Sequence, residues 1–228
     1  MAHRIGLALA AVLTAAIAAV ASLSHHAAPS SPPKPTSSTA AIEQALVALS
    51  IDQIESGDLL LVRGDSMYSD AVRSIDGDSR WTHVGMLAAD AGVLVFVDAS
   101  PSVLEDQVDT GGRVQRRPLD DYLREISGCE AAVYRVQTDP AARRAAAAAC
   151  LRWAARRVPF DGHFDAASAD ALYCSEMIWR AYRSLGLDLA EGRWQQSRIL
   201  WMHQSVIFPD ALAQGPRVTY LGHLQKGR

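Results

Sequence analysis

The sequence predicts an α+β domain in which an antiparallel sheet packs against helices. Its first half contains apolar stretches of strand length at residues 59–63, 82–88 and 93–99, separated by turn signals. Its second half contains a further strand, at residues 131–136, and two strongly helical segments, at residues 139–157 and 174–185. Consecutive strands with flanking helices are typical of the α+β class. The chain has 228 residues, 49% of them hydrophobic, which is enough to bury one core.

The first 21 residues have the layout of a secretory signal peptide. His3 and Arg4 precede an apolar run at residues 5–20, and Ala19-Val20-Ala21 forms a small-x-small cleavage site. The alternative is an uncleaved anchor, because residues 5–23 come close to the ~20 residues that span a bilayer. Residues 22–45 read as a linker rich in Pro, Ser and Ala, and residues 46–228 as the folded domain. We expect that domain to be periplasmic or secreted, or anchored in the inner membrane.

The N-terminal half of the folded domain reads as a helix followed by strands. Residues 41–50 predict a short amphipathic helix, and residues 59–63 a buried strand. The Asp-Ala-Gly sequence at residues 90–92 signals a turn, so the strands at 82–88 and 93–99 form a hairpin. A four-residue loop at residues 89–92 would set His83 directly opposite Asp98, within side-chain reach.

The C-terminal half is predicted to mix helices with two strands. Residues 108–116 are irregular or a strand, and Pro118 opens a short helix at a position that proline favours. Asp139 caps the Ala-rich helix, and Gly186 ends the helix that begins at Cys174. Residues 207–212 indicate a helix entry, and residues 218–221 a last edge strand.

Composition gives no indication of nucleic-acid binding or metal binding. The net charge is −3 and the pI about 6.1, so no basic excess indicates a nucleic-acid partner. One arrangement of the three cysteines pairs Cys129 with Cys150 and leaves Cys174 as a reactive thiol. The alternative keeps Cys129 and Cys150 as small buried hydrophobic residues. The histidines and cysteines show no ligand-type spacing, so we expect no metal and no other cofactor.

Three residues from separate segments indicate nucleophilic thiol chemistry. Cys174 lies where a helix begins, and the helix dipole and unpaired N–H groups there favour the thiolate. His83 is the candidate base, and Asp98 would fix its tautomer. The backbone N–H groups at the helix start would hold an oxyanion. The alternatives are that Cys174 and His83 are packed structural residues, or that Glu105 or Asp106 takes the third position.

The order of the motifs resembles a known family. The segments GDLLLV at residues 57–62, THVGM at 82–86, VDA at 97–99 and YCSEMI at 173–178 follow one another. This order resembles the YiiX-like, circularly permuted members of the NlpC-type papain-like superfamily. Ordinary NlpC-type peptidases have the Cys helix before the His strand, whereas His83 here precedes Cys174. The resemblance covers about residues 46–208, and it implies a papain-like α+β fold with an antiparallel sheet packed against the nucleophile helix.

The resemblance also implies a catalytic site at Cys174, His83 and Asp98. The permuted group has Glu more often at the third position, so Asp98 reaches one methylene less far. The group tends to have Tyr-Asp where this chain has Phe at position 160 and Asp at 161. A packing role explains Tyr173 as readily as a substrate contact does. The candidate substrate or oxyanion contacts are Tyr173, Ser175 and Asp161.

The leading hypothesis is a secreted cysteine hydrolase that cleaves an amide or peptide bond. NlpC-type relatives cut cell-wall peptides, so a small peptide or amide derived from peptidoglycan is the substrate expected by analogy. We expect membrane contact only through an uncleaved N-terminal segment.

Two other functions stay open. A lipid-directed thioesterase or acyltransferase would use the same site, since the group also resembles lecithin:retinol acyltransferase-like enzymes. The other is a non-catalytic binding domain. An apolar groove beside the thiol would favour lipid chemistry. Either such a groove or simply the core would contain Trp179, Trp194, Ile199, Leu200 and Trp201.

Overall fold

A seven-stranded sheet forms the centre of the described structure. The computed structural model describes residues 48–64, 69–70, 72–73, 79–104, 107–168, 170–196 and 205–224. The strands of the large sheet are β1 Ala48–Leu49, β2 Leu59–Arg63, β3 His83–Asp90, β4 Val93–Leu104, β5 Gln107–Pro118, β6 Glu130–Val136 and β9 Val218–Leu224. A separate two-stranded pair consists of β7 Gln195–Gln196 and β8 Ser205–Val206.

The strand order across the large sheet is β1-β9-β6-β2-β3-β4-β5. All neighbours pair antiparallel except β1 and β9, which are parallel. The mixed, mostly antiparallel sheet with its helices confirms the predicted α+β class. The prediction that residues 218–221 form an edge strand is wrong, because β1 pairs with β9 on its outer side. The helix predicted at 41–50 is also wrong at residues 48–49, where Leu49 is buried in β1; its other residues, except Ser50, lie outside the described ranges.

The β3–β4 hairpin has a tighter turn than the sequence suggested. Asp90 pairs with Val93, so the loop has two residues rather than four. Ala91 and Gly92 both have positive φ angles, 49° and 82°, which is the backbone of the two-residue turns that match strand twist. The pairing sets Met86 opposite Val97, which is a shift of two residues from the predicted register. A shift of two residues keeps every side chain on its face of the sheet.

The α-helices whose bounds the described residues give are α1 Leu119–Glu125, α2 Pro140–Ala155, α3 Cys174–Arg183 and α4 Pro209–Ala213. Their starts follow the predicted signals. Pro118 precedes α1, and the Asp139 carboxylate accepts a hydrogen bond from the Ala141 N–H at 2.6 Å at the start of α2. Gly186, with a φ of 81°, follows the end of α3.

The strands of the sheet bury side chains on both faces. Leu59 and Leu61 of β2 belong to a first apolar cluster with Ala146 of α2 and Met177 of α3. The alternate residues of β2 belong to a second cluster, on the opposite face, which also contains Tyr122 of α1. The sheet therefore lies between α2 and α3 on one face and α1 on the other.

The disulfide considered between Cys129 and Cys150 is not formed. Cys150 is buried in the first cluster, whereas Cys129 packs against the second. The sheet separates the two thiols, so no disulfide of normal Cα spacing could join them. Within the described ranges, no helix combines the length and the apolar character that a membrane span requires. The predicted signal peptide and linker lie outside the described residues and stay predictions.

Candidate active site

The structure brings the three predicted catalytic residues together. Cys174 is the first residue of α3, His83 the first residue of β3, and Asp98 lies in the middle of β4. The His83 Nε2 is 2.9 Å from Asp98 Oδ2. The imidazole also interacts with the Cys174 thiol, and this interaction contributes to the raised pKa of His83 and the lowered pKa of Cys174. Since Asp98 engages Nε2, Nδ1 is the ring nitrogen left for the sulfur.

His83 and Asp98 are diagonal neighbours in the β3–β4 hairpin and do not lie directly opposite each other. Extending the observed register pairs Gly85, not His83, with Asp98. Residues at i and j±2 on one face of an antiparallel pair remain within reach of a long side chain. The predicted contact therefore forms despite the wrong register, because the shift is even.

Electrostatics favour an imidazolium–thiolate pair. Burial disfavours the charged imidazole, but the hydrogen bonds and charges of Asp98 and Cys174 outweigh it and raise the pKa of His83 from 6.5 to about 10. Burial likewise opposes the thiolate, yet His83 and the hydrogen bonds around the sulfur hold the pKa of Cys174 below its usual 9.0. Cys174 is only 4% exposed. Both shifts favour the thiolate, which is the nucleophilic form of the sulfur.

The carboxylate of Asp98 is fully buried and held by three side chains. Besides His83, the Ser100 hydroxyl donates to Asp98 Oδ2. Arg117 Nη2 lies 3.4 Å from both carboxylate oxygens. Burial alone would raise the pKa of Asp98, but these donors and the charges of His83 and Arg117 lower it. Sequence reasoning missed Arg117, which falls between the segment expected to be irregular and the predicted helix.

Two stacked aromatic rings of the second apolar cluster support the His83 imidazole. The Phe96 ring meets His83 edge-on with centroids 6.1 Å apart, and it stacks on Tyr122 of α1 at 4.0 Å. Gly85 makes room for this ring, since a Cβ there would lie 2.4 Å from the Phe96 side chain. The packing of the Phe96 ring beside His83 therefore explains why the THVGM motif has a glycine at position 85.

The segment that leads into β3 is anchored on both sides. The Asp210 carboxylate of α4 accepts hydrogen bonds from the backbone N–H groups of Arg80 and Trp81, at 2.7 and 3.0 Å. The buried Thr82 hydroxyl accepts one from the Gly64 N–H at 2.9 Å, which ties the end of β2 to the start of β3. These contacts fix the backbone from which His83 projects.

The start of α3 is held by a buried acid. Glu176 is fully buried; it accepts a hydrogen bond from the Tyr173 N–H at 3.3 Å and one from Arg180 Nε at 2.6 Å. Arg180 also donates to the carbonyl of Ala166 at 2.8 Å. This arrangement ties the nucleophile helix to the loop before it.

The remaining predicted site residues have other partners. The Tyr173 hydroxyl is buried and accepts a hydrogen bond from the Ile207 N–H at 3.1 Å, as expected of a packing aromatic. The Asp161 carboxylate accepts backbone hydrogen bonds from His163 and Asp165, at 2.8 and 2.6 Å, and so shapes its own loop. Ser175 is buried, with its hydroxyl 3.7 Å from the sulfur. Substrate contacts by these three residues stay predictions.

Of the five residues named as candidates for a groove or the core, the structure describes Trp179 and Trp194. Trp179 is in the core, where it packs edge-on against Trp194 at 5.0 Å and donates to Asp188 at 2.9 Å. Ile199, Leu200 and Trp201, like Glu105 and Asp106, lie outside the described residues. In the part of the chain that the structure describes, no group of three or more His, Cys, Asp or Glu side chains could hold a metal ion.

Comparisons with known proteins agree with this architecture. The profile of a family described as a permuted papain-like amidase enzyme, YaeF/YiiX, C92 family, matches residues 53–222. Among solved structures, that of YiiX from Escherichia coli O157:H7, titled a metalloprotein, is similar with a TM-score of 0.58. The sequence identity is 20%, over 76% of this chain and 99% of that chain, a level at which the likeness shows the fold. No curated protein sequence matches the chain.

Proposed function

Because this chain belongs to the permuted papain-like amidase family, a family of cysteine peptidases and amidases, it is a cysteine hydrolase, and we propose that it works through an acyl-Cys174 intermediate. The observation that carries the proposal is the constellation of thiolate, imidazolium and buried carboxylate at the start of α3. Cys174 has a lowered pKa, His83 a raised pKa, and Asp98 binds the far ring nitrogen. Such an arrangement prepares nucleophile and general acid before substrate arrives.

The proposed first step is acylation. The Cys174 thiolate attacks the carbonyl carbon of an amide, and the carbonyl electron pair moves onto oxygen. The backbone N–H groups of the first turn of α3 would stabilise this oxyanion, because they lack acceptors within the helix. When the tetrahedral intermediate collapses, the C–N bond breaks and the amine takes the proton of the His83 imidazolium.

The proposed second step is hydrolysis of the thioester. His83 is now neutral and takes a proton from a water molecule, whose oxygen attacks the acyl carbon. The C–S bond breaks, the carboxylic acid leaves, and the thiolate faces an imidazolium again. Asp98 keeps the ring oriented through both steps by accepting the hydrogen bond of Nε2.

The proposed substrate is a small peptide or amide, with peptides from the cell wall as the leading source. This proposal rests on the apolar leader at residues 5–20, which would export the domain to where such peptides occur. The family description, an amidase, supports the bond type.

We test the function by alkylation of Cys174 with iodoacetamide across about pH 5 to 10. In the wild type we expect the rate to reach its plateau well below pH 9.0, because His83 stabilises the thiolate. In His83→Ala burial remains and the cation is gone, so the rate should rise only near or above pH 9.0. His163→Ala, which alters an exposed loop histidine, is the matched control. Equal profiles in wild type and His83→Ala would contradict the proposed pair.

The acyl intermediate has its own readout. After treatment with p-nitrophenyl acetate, mass spectrometry should detect an acetyl group on Cys174 of the wild-type protein. The Cys174→Ala variant should not be acetylated at this position. Cleavage of blocked peptide p-nitroanilides should fall by about a thousandfold in His83→Ala. An acetylation pattern that spares Cys174 would overturn the mechanism.

A further inference from the structure

Arg117 lies beside the Asp98 carboxylate that orients the catalytic histidine. It stands opposite Phe96 in the β4–β5 ladder, which puts its side chain on the face of Asp98 and His83. Its Nη2 is 3.4 Å from both Asp98 oxygens, and its Nη1 is 2.5 Å from Glu125 Oε2 of α1.

The guanidinium is packed as well as paired. Its Cζ lies 4.6 Å from the centre of the Tyr122 ring, and that ring stacks on Phe96. The Arg117 Nε is buried and has no hydrogen-bond partner in the described structure. An arginine that gives up one donor in this way is held at its position by its other contacts. The side chain is therefore a fixed positive charge beside Asp98.

The need for such a charge follows from the proposed reaction. While Cys174 is a thiolate, the His83 imidazolium neutralises the buried Asp98. Once the imidazolium has given its proton to the leaving amine, Asp98 faces a neutral ring. A fully buried carboxylate without a cation would take up a proton. A protonated Asp98 would donate to Nε2 and leave the proton of the neutral ring on Nδ1, where the base is needed.

We propose that Arg117 is a positioning residue that keeps Asp98 ionised while His83 is neutral, and so maintains the His83 tautomer that deacylates the enzyme. This inference deepens the proposed function and rests on it, because deacylation is the second step of the proposed mechanism. Arg117 itself contacts neither sulfur nor substrate. It acts through Asp98, and Glu125 and Tyr122 hold it there.

The charged and titratable groups around His83 come from four elements. Within the described ranges they are Cys174 on α3, Asp98 on β4, Arg117 on β5, and Tyr122 and Glu125 on α1; Cys129 follows α1 at a greater remove. With the thiol removed, Asp98 is the charged group that contacts the ring, and Arg117 is the cation that acts on Asp98.

The test is the titration of His83 in a Cys174→Ala background, followed by ¹⁵N imidazole NMR. We expect Arg117→Gln to raise the pKa of His83 by about one unit or more, because the Asp98 carboxylate, without the Arg117 charge beside it, stabilises the imidazolium more strongly. Arg117→Lys should restore much of the wild-type value. The matched control is Arg116→Gln, which alters the neighbouring arginine paired with Asp90 on the other face of the sheet. The control should leave the titration unchanged.

The same pKa for His83 in Arg117→Gln and Arg116→Gln would overturn the proposal. Arg117→Met keeps an apolar stem over Tyr122, so it serves as a second variant if the glutamine variant fails to fold. If neither the glutamine nor the methionine variant folds, the guanidinium is needed for the fold itself. That result would also overturn the proposal. The titration needs no substrate, so a wild-type protein that forms no acyl-enzyme would refute the proposed function without deciding the role of Arg117.

Discussion

Gly85 shows how a single atom can govern a catalytic geometry. A Cβ at this position would lie 2.4 Å from the Phe96 ring and 2.7 Å from the Val97 carbonyl oxygen. The ring cannot retreat freely, since Tyr122 stacks on its other face. Any displacement of Phe96 would therefore be passed to His83, which the ring edge contacts.

We expect Gly85→Ala to destabilise the fold by about 1–3 kcal/mol through overpacking. We also expect the rate of thiol alkylation at neutral pH to fall, because the imidazole moves from its place between sulfur and carboxylate. Urea unfolding and iodoacetamide kinetics measure the two effects. Gly162→Ala is the control, since a Cβ there would meet nothing within 4 Å. Wild-type behaviour of Gly85→Ala in both assays would show that the ring is not a constraint on His83.

At the scale of the element, α3 depends on an acid that is buried in its first turn. Burial outweighs the hydrogen bond from Arg180 and raises the pKa of Glu176 from 4.5 to about 7. The folded protein therefore holds a proton that the unfolded chain releases above pH 4.5. The stabilisation from this proton is present below pH 4.5 and is lost as the pH rises through about 7.

We expect Glu176→Gln, which cannot ionise, to gain stability relative to the wild type as the pH rises from 4.5 to about 7. Urea unfolding of both proteins at a series of pH values gives the difference in free energy of unfolding. Asp120→Asn, at an exposed position of α1, serves as the control and should show no such trend. A difference that stays constant with pH would contradict the burial argument.

The hairpin shows how far sequence reasoning reaches at this scale. The Asp-Ala-Gly signal located the turn, but it could not show that Ala91 would adopt a positive φ. That choice shortens the loop and moves the register by two residues. The predicted meeting of His83 and Asp98 survives because strand faces repeat every second residue. The pairing of β1 with β9 could not be found, since a two-residue parallel strand has no periodicity to read.

At the scale of the whole molecule, local patterns located the main strands and helices and the residues at their ends. The order of the motifs along the sequence also predicted that Cys174, His83 and Asp98 form one catalytic site. It could not supply contacts between distant segments that carry no motif of their own. Arg117 is such a case: it reaches Asp98 only because β5 pairs with β4. The separation of Cys129 from Cys150 by the sheet is another.

The absence of a disulfide between Cys129 and Cys150 gives a prediction for the whole fold. We expect thermal unfolding midpoints with and without dithiothreitol to agree within about 1 °C, since reduction changes no cross-link. Three thiols should react per unfolded chain without prior reduction. In the folded protein Cys150 should stay unreactive, because burial raises its pKa. A midpoint that drops by several degrees on reduction would reveal a disulfide.

The order of the catalytic segments along the chain sets the order in which the site is completed. β3 and β4 adjoin in sequence, so a chain that emerges from its N-terminus can form the His83–Asp98 contact early. Cys174 follows much later and is activated only when α3 docks on the sheet beside His83. Until that moment the sulfur is an ordinary thiol. The nascent protein thus carries no activated thiolate while its apolar surfaces are still exposed. The rate at which Cys174 becomes reactive during refolding therefore reports the docking of α3 on the sheet.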